Sequence, residues 1–285
     1  MTSRVGTRAR IANVVASVSA LFRSLPSRAG NDDRDIEDRL VLALQSGEIE
    51  HVYQPLRRLS NRELLGFEAL SRWRLPEGGE ISPSTFVPIA HQLGISKQLF
   101  RLTLAQAMQD LSVVLRDNRS LYVSLNAEPA DMAQDLVVPY IKGMARKFDV
   151  LPTQIRIEIT EREELTSQVA MSHMEDLSAL GYFFLIDDFG TGNANFALLA
   201  ELPFRGLKID RMFATAYTDE SHLKAVLPGI VHIAAELGLE VIIEGVETAE
   251  QELQLRKIAP EATGQGWHYG HPLSADDARN TVSPA

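Results

Sequence analysis

The sequence predicts a (β/α)8-like barrel, an α/β fold, and three observations carry that prediction. Eight short runs with strand character alternate with helical patterns across about 250 residues. That alternation implies a mostly parallel sheet with right-handed crossovers, and eight such strands suit closure better than an open sheet. Most of the runs also finish on one charged or amide side chain, which a parallel barrel would gather on a single rim.

Residues 1–30 stand apart from this pattern. Arg4, Arg8, Arg10, Arg23 and Arg28 have no acid among them, so the segment carries +5 and the remaining chain −15, against a total of −10. Ile11, Val14, Val15, Val18, Leu21, Phe22 and Leu25 fall on one helical face. The opposite face is Asn and Ser rather than Lys, so a packing or dimer-forming helix is preferred to a membrane-surface one. Residues 11–25 nonetheless offer a contact to a membrane or a protein, and Ser17-Val18-Ser19-Ala20 has a faint likeness to a secretory cleavage site. Residues 1–33 are therefore read as a basic helix and linker, and 34–285 as the folded domain.

Within that domain a helix is expected over 35–45, ended by Gly47. Strands follow at 51–59 and 63–73, joined by the polar turn Ser60-Asn61. Helices at 83–93 and 97–115 precede a strand at 121–126 and a helix at 131–148. Strands at 155–160, 182–187, 206–210, 240–244 and 264–267 complete the set, with helices at 164–180, 220–237 and 248–258 between them.

The strand ends carry Glu68, Asn126, Glu158, Asp187, Lys208, Glu244 and Gln265. Singly, each has an ordinary structural explanation as an ion pair, a cap or a solvated charge; together on one rim they suggest a site. Alternation puts Glu158 on one face with Arg156 and Thr160, and Lys208 with Asp210. Adjacent Asp187 and Asp188 repel unless a positive charge lies between them. Oxygen-rich donors select hard cations, Mg²⁺ or Mn²⁺. The chain has no Cys, and its seven His are scattered, which argues against zinc, disulfides and a thiol nucleophile. The net charge disfavours a surface that coats DNA or RNA. No apolar run approaches the roughly 20 residues of a membrane span. The expected setting is cytoplasmic, with peripheral contact at the inner membrane through the N-terminal segment.

These residues fall within longer motifs that occur in a fixed order along the chain. Glu68-Ala69-Leu70 stands between Gln54-Pro55-Leu56 and Arg72-Trp73, followed in order by Ser124-Leu125-Asn126, Glu158-Ile159-Thr160-Glu161 and Asp187-Asp188-Phe189-Gly190-Thr191-Gly192. Leu207-Lys208-Ile209-Asp210, Glu244-Gly245-Val246-Glu247-Thr248 and Gln265-Gly266 complete the series. Together they resemble the EAL domain, the cyclic di-GMP phosphodiesterase family; the resemblance covers about residues 36–275 and implies a modified TIM-like barrel whose first strand runs antiparallel to the rest.

It also implies a metal-dependent hydrolysis of cyclic di-GMP to linear pGpG, by a homodimer, with two Mg²⁺ or Mn²⁺ ions per site. Glu68, Asn126, Glu158, Asp187, Asp188 and Glu244 match the metal-binding and water-positioning acids and amide of the family, and Lys208 its water-orienting lysine. Gln54, Arg72, Asp210 and Gln265 match substrate-binding or supporting positions, Glu161 the acid that steadies the loop after Asp188, and Glu247 a further support. That loop departs from the family, reading Asn193-Ala194-Asn195-Phe196 where Tyr-Ser-Ser-Leu is usual. The departure sustains an alternative from another class, a cyclic di-GMP receptor or partner-binding module without turnover. From the residues alone, a metal-dependent barrel lyase or aldolase is a third reading.

Overall fold

The structure, a computed structural model, describes residues 31–160, 165–191, 196–217 and 222–282. The N-terminal face at 11–25, Glu161 and residues 193–195 of the altered loop lie outside the described residues. The chain divides into two compact units, one of the described residues to Glu50 with Ser71–Leu102, the other of His51–Leu70 with Thr103 onward.

The second unit contains the barrel. The barrel strands are β1 (Ile49–Arg58), β2 (Leu64–Arg74), β4 (Tyr122–Ala127), β5 (Ile155–Thr160), β6 (Phe183–Phe189), β7 (Phe204–Ile209), β8 (Glu240–Ile243) and β9 (Thr263–Gln265), with the first two residues of β1 and the last four of β2 falling in the first unit. The order β1-β9-β8-β7-β6-β5-β4-β2 closes through the β1–β2 pairing. Neighbours from β2 and β4 through β9 are parallel, whereas β1 meets β9 antiparallel with Leu56 opposite Gln265. The short β1–β2 connection dictates this: a few residues reverse a chain but cannot carry it back to a parallel start. Leu56, Tyr122, Leu185 and Ile242, from four strands, form one buried apolar cluster, the kind of filling expected of this fold. Gly206 fits here because a Cβ would lie 2.7 Å from Leu185 Cδ2.

The smaller unit has its own core. Trp73 and Phe86 meet edge to face at 5.9 Å among Leu40, Leu44, Ile49, Ala90 and Ile95. A two-residue strand β3 (Glu80–Ile81), absent from the sequence reading, pairs with the end of β2 at Trp73 and Arg74.

Two expected helices are interrupted, each by a proline. The helix read over 131–148 is observed as Pro129–Met132 and Val137–Phe148. Restarting at Val137 puts Pro139 in a first turn, where its missing N–H breaks no intrahelical bond. Likewise 220–237 becomes a 3-10 turn at His222–Ala225 and a helix at Leu227–Glu236, with Pro228 at the new start. Short helices at Arg211–Thr215 and Ala275–Val282 were not anticipated.

Candidate functional site

Parallel register brings the rim residues level. Asn126 pairs with Glu158, and Thr160 with Asp187, while Lys208 lies opposite Ile242 on β8, two residues before Glu244. Lys208 is 1% exposed and stands at the centre. Its Nζ lies 2.6 Å from Glu244 Oε1, 2.8 Å from Glu158 Oε2, 3.2 Å from Asp187 Oδ1 and 3.4 Å from Glu68 Oε2. Glu68 is held on both oxygens, by Asn126 Nδ2 at 2.8 Å and Gln265 Nε2 at 2.5 Å, and Gln265 Nε2 also donates to Gln54 Oε1 at 3.1 Å.

Asp187 and Asp188 reach the same place by breaking strand alternation. Neighbours on a regular strand point to opposite faces. Here Asp188 has φ +57, and the β6–β7 register shifts between Ile186 and Phe189. The carbonyl of Asp188 then accepts from the backbone N–H and the hydroxyl of Thr191, closing the turn. As a result, one carboxylate oxygen each from Asp187, Asp188 and Glu244 lie within 4.8 Å of one another. A left-handed non-glycine residue costs of order 1–3 kcal/mol and recurs at functional sites.

The electrostatics are unbalanced. Burial pushes the Glu158 carboxyl well above its ordinary range, and the neighbouring charge of Glu68 adds to the push while Lys208 opposes it. Glu244 is raised to about 7, first by burial, with Lys208 opposing and Asp187 and Glu68 adding. Burial also acts to raise Glu68, but Lys208 and the hydrogen bonds from Gln265 and Asn126 outweigh it and hold the group below its usual value. Burial acts against the Lys208 ammonium, yet Asp187, Glu158, Glu244 and Glu68 keep it protonated far above its ordinary pKa.

One ammonium has three N–H donors for four carboxylates. Accordingly, among the described residues, Glu158 Oε1 and Asp187 Oδ1 are buried without a hydrogen bond, the latter despite its 3.2 Å separation from Lys208 Nζ. An unpaired buried anion is costly, and additional positive charge removes the cost. The donor set is all oxygen, with an acidic trio of matching spacing, so it fits a hard divalent cation.

Not every sequence candidate joins this cluster. Asp210 turns its carboxylate onto the Met212 N–H at 2.8 Å and caps the helix Arg211–Thr215. Glu247 is exposed, and its N–H donates to Gln251 Oε1 at 2.7 Å. Arg72 belongs to the smaller unit, where its Nε lies 3.5 Å from Glu80 Oε1. Sequence reasoning did not find the hydrogen bond that ties Gln54 to Gln265, 211 residues away.

Known proteins resemble this chain in sequence and in fold. The model of the EAL domain matches residues 37–272. The probable cyclic di-GMP phosphodiesterase PdeB of Escherichia coli (strain K12) is 33% identical over 239 residues, covering 84% of this chain and 45% of that protein. The cyclic di-GMP phosphodiesterase RocR of Pseudomonas aeruginosa is 26% identical, covering 93% of this chain and 67% of its own. Among solved structures, the EAL enzyme Bd1971 with cAMP and cyclic di-GMP superposes with a TM-score of 0.82 at 30% identity, over 89% of this chain and 69% of that one. The PaMucR phosphodiesterase in its c-di-GMP complex gives 0.79 at 29% identity, over 85% and 99%. The chain spans less than half the length of several curated relatives, 45%, 33% and 32% for three of them. With the family match extending over most of its length and the antiparallel first strand in place, the chain belongs to the EAL domain family.

Proposed function

We propose that the protein hydrolyses cyclic di-GMP to linear pGpG in a divalent-metal-dependent reaction and so lowers the concentration of that dinucleotide. The observation that carries this reading is the Lys208-centred cluster, where four carboxylates converge on one buried ammonium. The names of the relatives support the same substrate.

Glu68, Asn126, Glu158, Asp187, Asp188 and Glu244 would hold two Mg²⁺ or Mn²⁺ ions. When bound, such ions lower the pKa of water and offset charge developing on a phosphodiester. Lys208 orients the attacking oxygen and adds positive charge to the transition state. Asn126 and Gln265 fix the two oxygens of Glu68, so that carboxylate presents one orientation. Gln54 and Gln265 form a linked amide pair suited to hydrogen-bond the substrate, and Asp210 supports the strand end beside Lys208. The assembly inferred from the family resemblance is a homodimer with the catalytic domain at 34–285. Among the described residues no helix is long and apolar enough to cross a membrane.

The experiment is turnover of cyclic di-GMP by the full chain with Mg²⁺ or Mn²⁺, read as pGpG by chromatography. The expected outcome is metal-dependent product, abolished by EDTA and by Glu68→Ala. Binding of the dinucleotide without pGpG under either metal would overturn the enzyme reading and leave a receptor.

A further inference from the structure

Outside the rim, a buried carboxylate on the helix Ala249–Ile258 has gathered partners from two other segments. Glu252 is 5% exposed. It accepts from Arg62 Nε at 2.8 Å and Nη2 at 2.5 Å, a two-pronged grip by a residue of the β1–β2 turn that has φ +60. Tyr269 donates its hydroxyl to Glu252 Oε1 at 3.2 Å. The Nε2 of His268 lies 3.2 Å from Glu252 Oε2 and 3.1 Å from Arg62 Nη2, so its tautomer decides which one it bonds. Hydrogen bonds from Arg62 hold the Glu252 carboxyl down at about 2, against the opposing effect of burial.

His268 and Tyr269 follow Gln265 by three and four residues. The backbone between them has little room: a Cβ on Gly266, at φ +152, would sit 2.2 Å from Val246 O. Val246 N donates to Gln265 O at 2.9 Å, and His268 N donates to Val246 O at 3.0 Å. The segment 265–269 is therefore laced to the residue two positions after Glu244 and anchored by side chain to Glu252. Its first member is the amide that holds Glu68 Oε2 at 2.5 Å.

We propose that Glu252, gripped by Arg62, is a positioning residue that sets the placement of Gln265 and through it the orientation of Glu68. The energetic logic is that of charge-assisted hydrogen bonds: a bidentate guanidinium–carboxylate pair is stiff as well as strong. Losing it frees His268 and Tyr269 and loosens a segment whose position the catalytic rim depends on. The effect on turnover rests on the hydrolase reading above; the effect on the segment does not.

The test uses the full chain in two variants, Glu252→Leu and Arg62→Ala. The second opens the same grip at a side chain that is 58% exposed, so folding is preserved if the first is too disruptive. Amide hydrogen exchange over 265–270 is expected to accelerate about tenfold or more in both, with β4 to β6 unchanged. In a double-mutant cycle on kcat/KM, the losses from Arg62→Ala and Gln265→Ala are expected to be less than multiplicative, because both act through one amide. Unchanged exchange in both variants would overturn the proposal, as would accelerated exchange with fully multiplicative losses. If the wild-type chain makes no pGpG, the hydrolase reading fails and the exchange arm alone decides whether the grip orders the segment.

Discussion

Among the described residues two cations are buried on the barrel strands, one layer apart, and they are handled differently. Arg156 on β5 lies two residues before Glu158, with its guanidinium carbon 3.5 Å from the Tyr122 ring centre and 4.2 Å from that of Phe183. Its carboxylate partner among the described residues is Glu240, at 2.5 Å and half-exposed. Charge is balanced, and the rings supply further attraction. Lys208 has four carboxylates and no ring, which leaves anionic oxygens over. Burial alone therefore does not mark a site. A cation with one acid and two aromatic faces makes a plug, whereas a cation outnumbered by acids leaves a demand for more positive charge.

The sharpest way to break this contrast is Lys208→Met, which keeps length and removes charge. Turnover is expected to fall by about 10²- to 10³-fold, the usual cost of losing a preorganised electrostatic group. Stability should also fall, by about 3–5 kcal/mol, because buried carboxylates lose their shared partner. A second cation relieves the same repulsion, so Mn²⁺ should raise the Tm of the variant by more than it raises that of the wild type. Calorimetry with and without Mn²⁺ checks this, and equal increments would contradict the charge-deficit account.

A third basic side chain, His51, avoids the problem by staying neutral. It is buried with Nε2 3.0 Å from Thr103 Oγ1, and burial lowers its pKa from 6.5 to about 4. Between those values the unfolded chain binds a proton that the folded chain refuses, so stability rises with pH there. This contribution is complete above about pH 6.5 and lost as pH falls toward 4; the shift corresponds to about 3 kcal/mol. Urea unfolding at pH 7 and pH 4.5 is expected to show a larger loss for the wild type than for His51→Gln, which keeps a hydrogen-bonding group and does not titrate.

Much of this arrangement was legible from the chain because strand side chains have a period of two. Once Glu158, Lys208 and Glu244 were placed near strand ends, alternation turned them inward and closure brought them together. Arg156 was placed on the same face as Glu158, but its partners depend on register, in which Arg156 lies opposite Ser124 and Phe183. The inward turn of Asp188 was not legible, since a left-handed backbone at a residue other than glycine has no reliable local signature. The helix breaks before Pro139 and Pro228 were legible in principle, because proline belongs in a first turn. The Arg62–Glu252 grip spans 190 residues, and nothing local in either segment points to the other.

The gentlest test removes the plug while leaving the site. Arg156→Leu gives up the cation–π contacts and the ion pair, but Glu240 is half-exposed and can rehydrate. The buried Arg156 Nε, which has no acceptor among the described residues, also disappears and offsets part of the loss. The net cost is expected to be about 1–2 kcal/mol in urea unfolding, with turnover per folded molecule within about threefold of wild type, as for a change confined to packing. A far larger loss of turnover at unchanged stability would mean that the two layers act as one unit. Charge count would then no longer separate scaffold from site in this barrel.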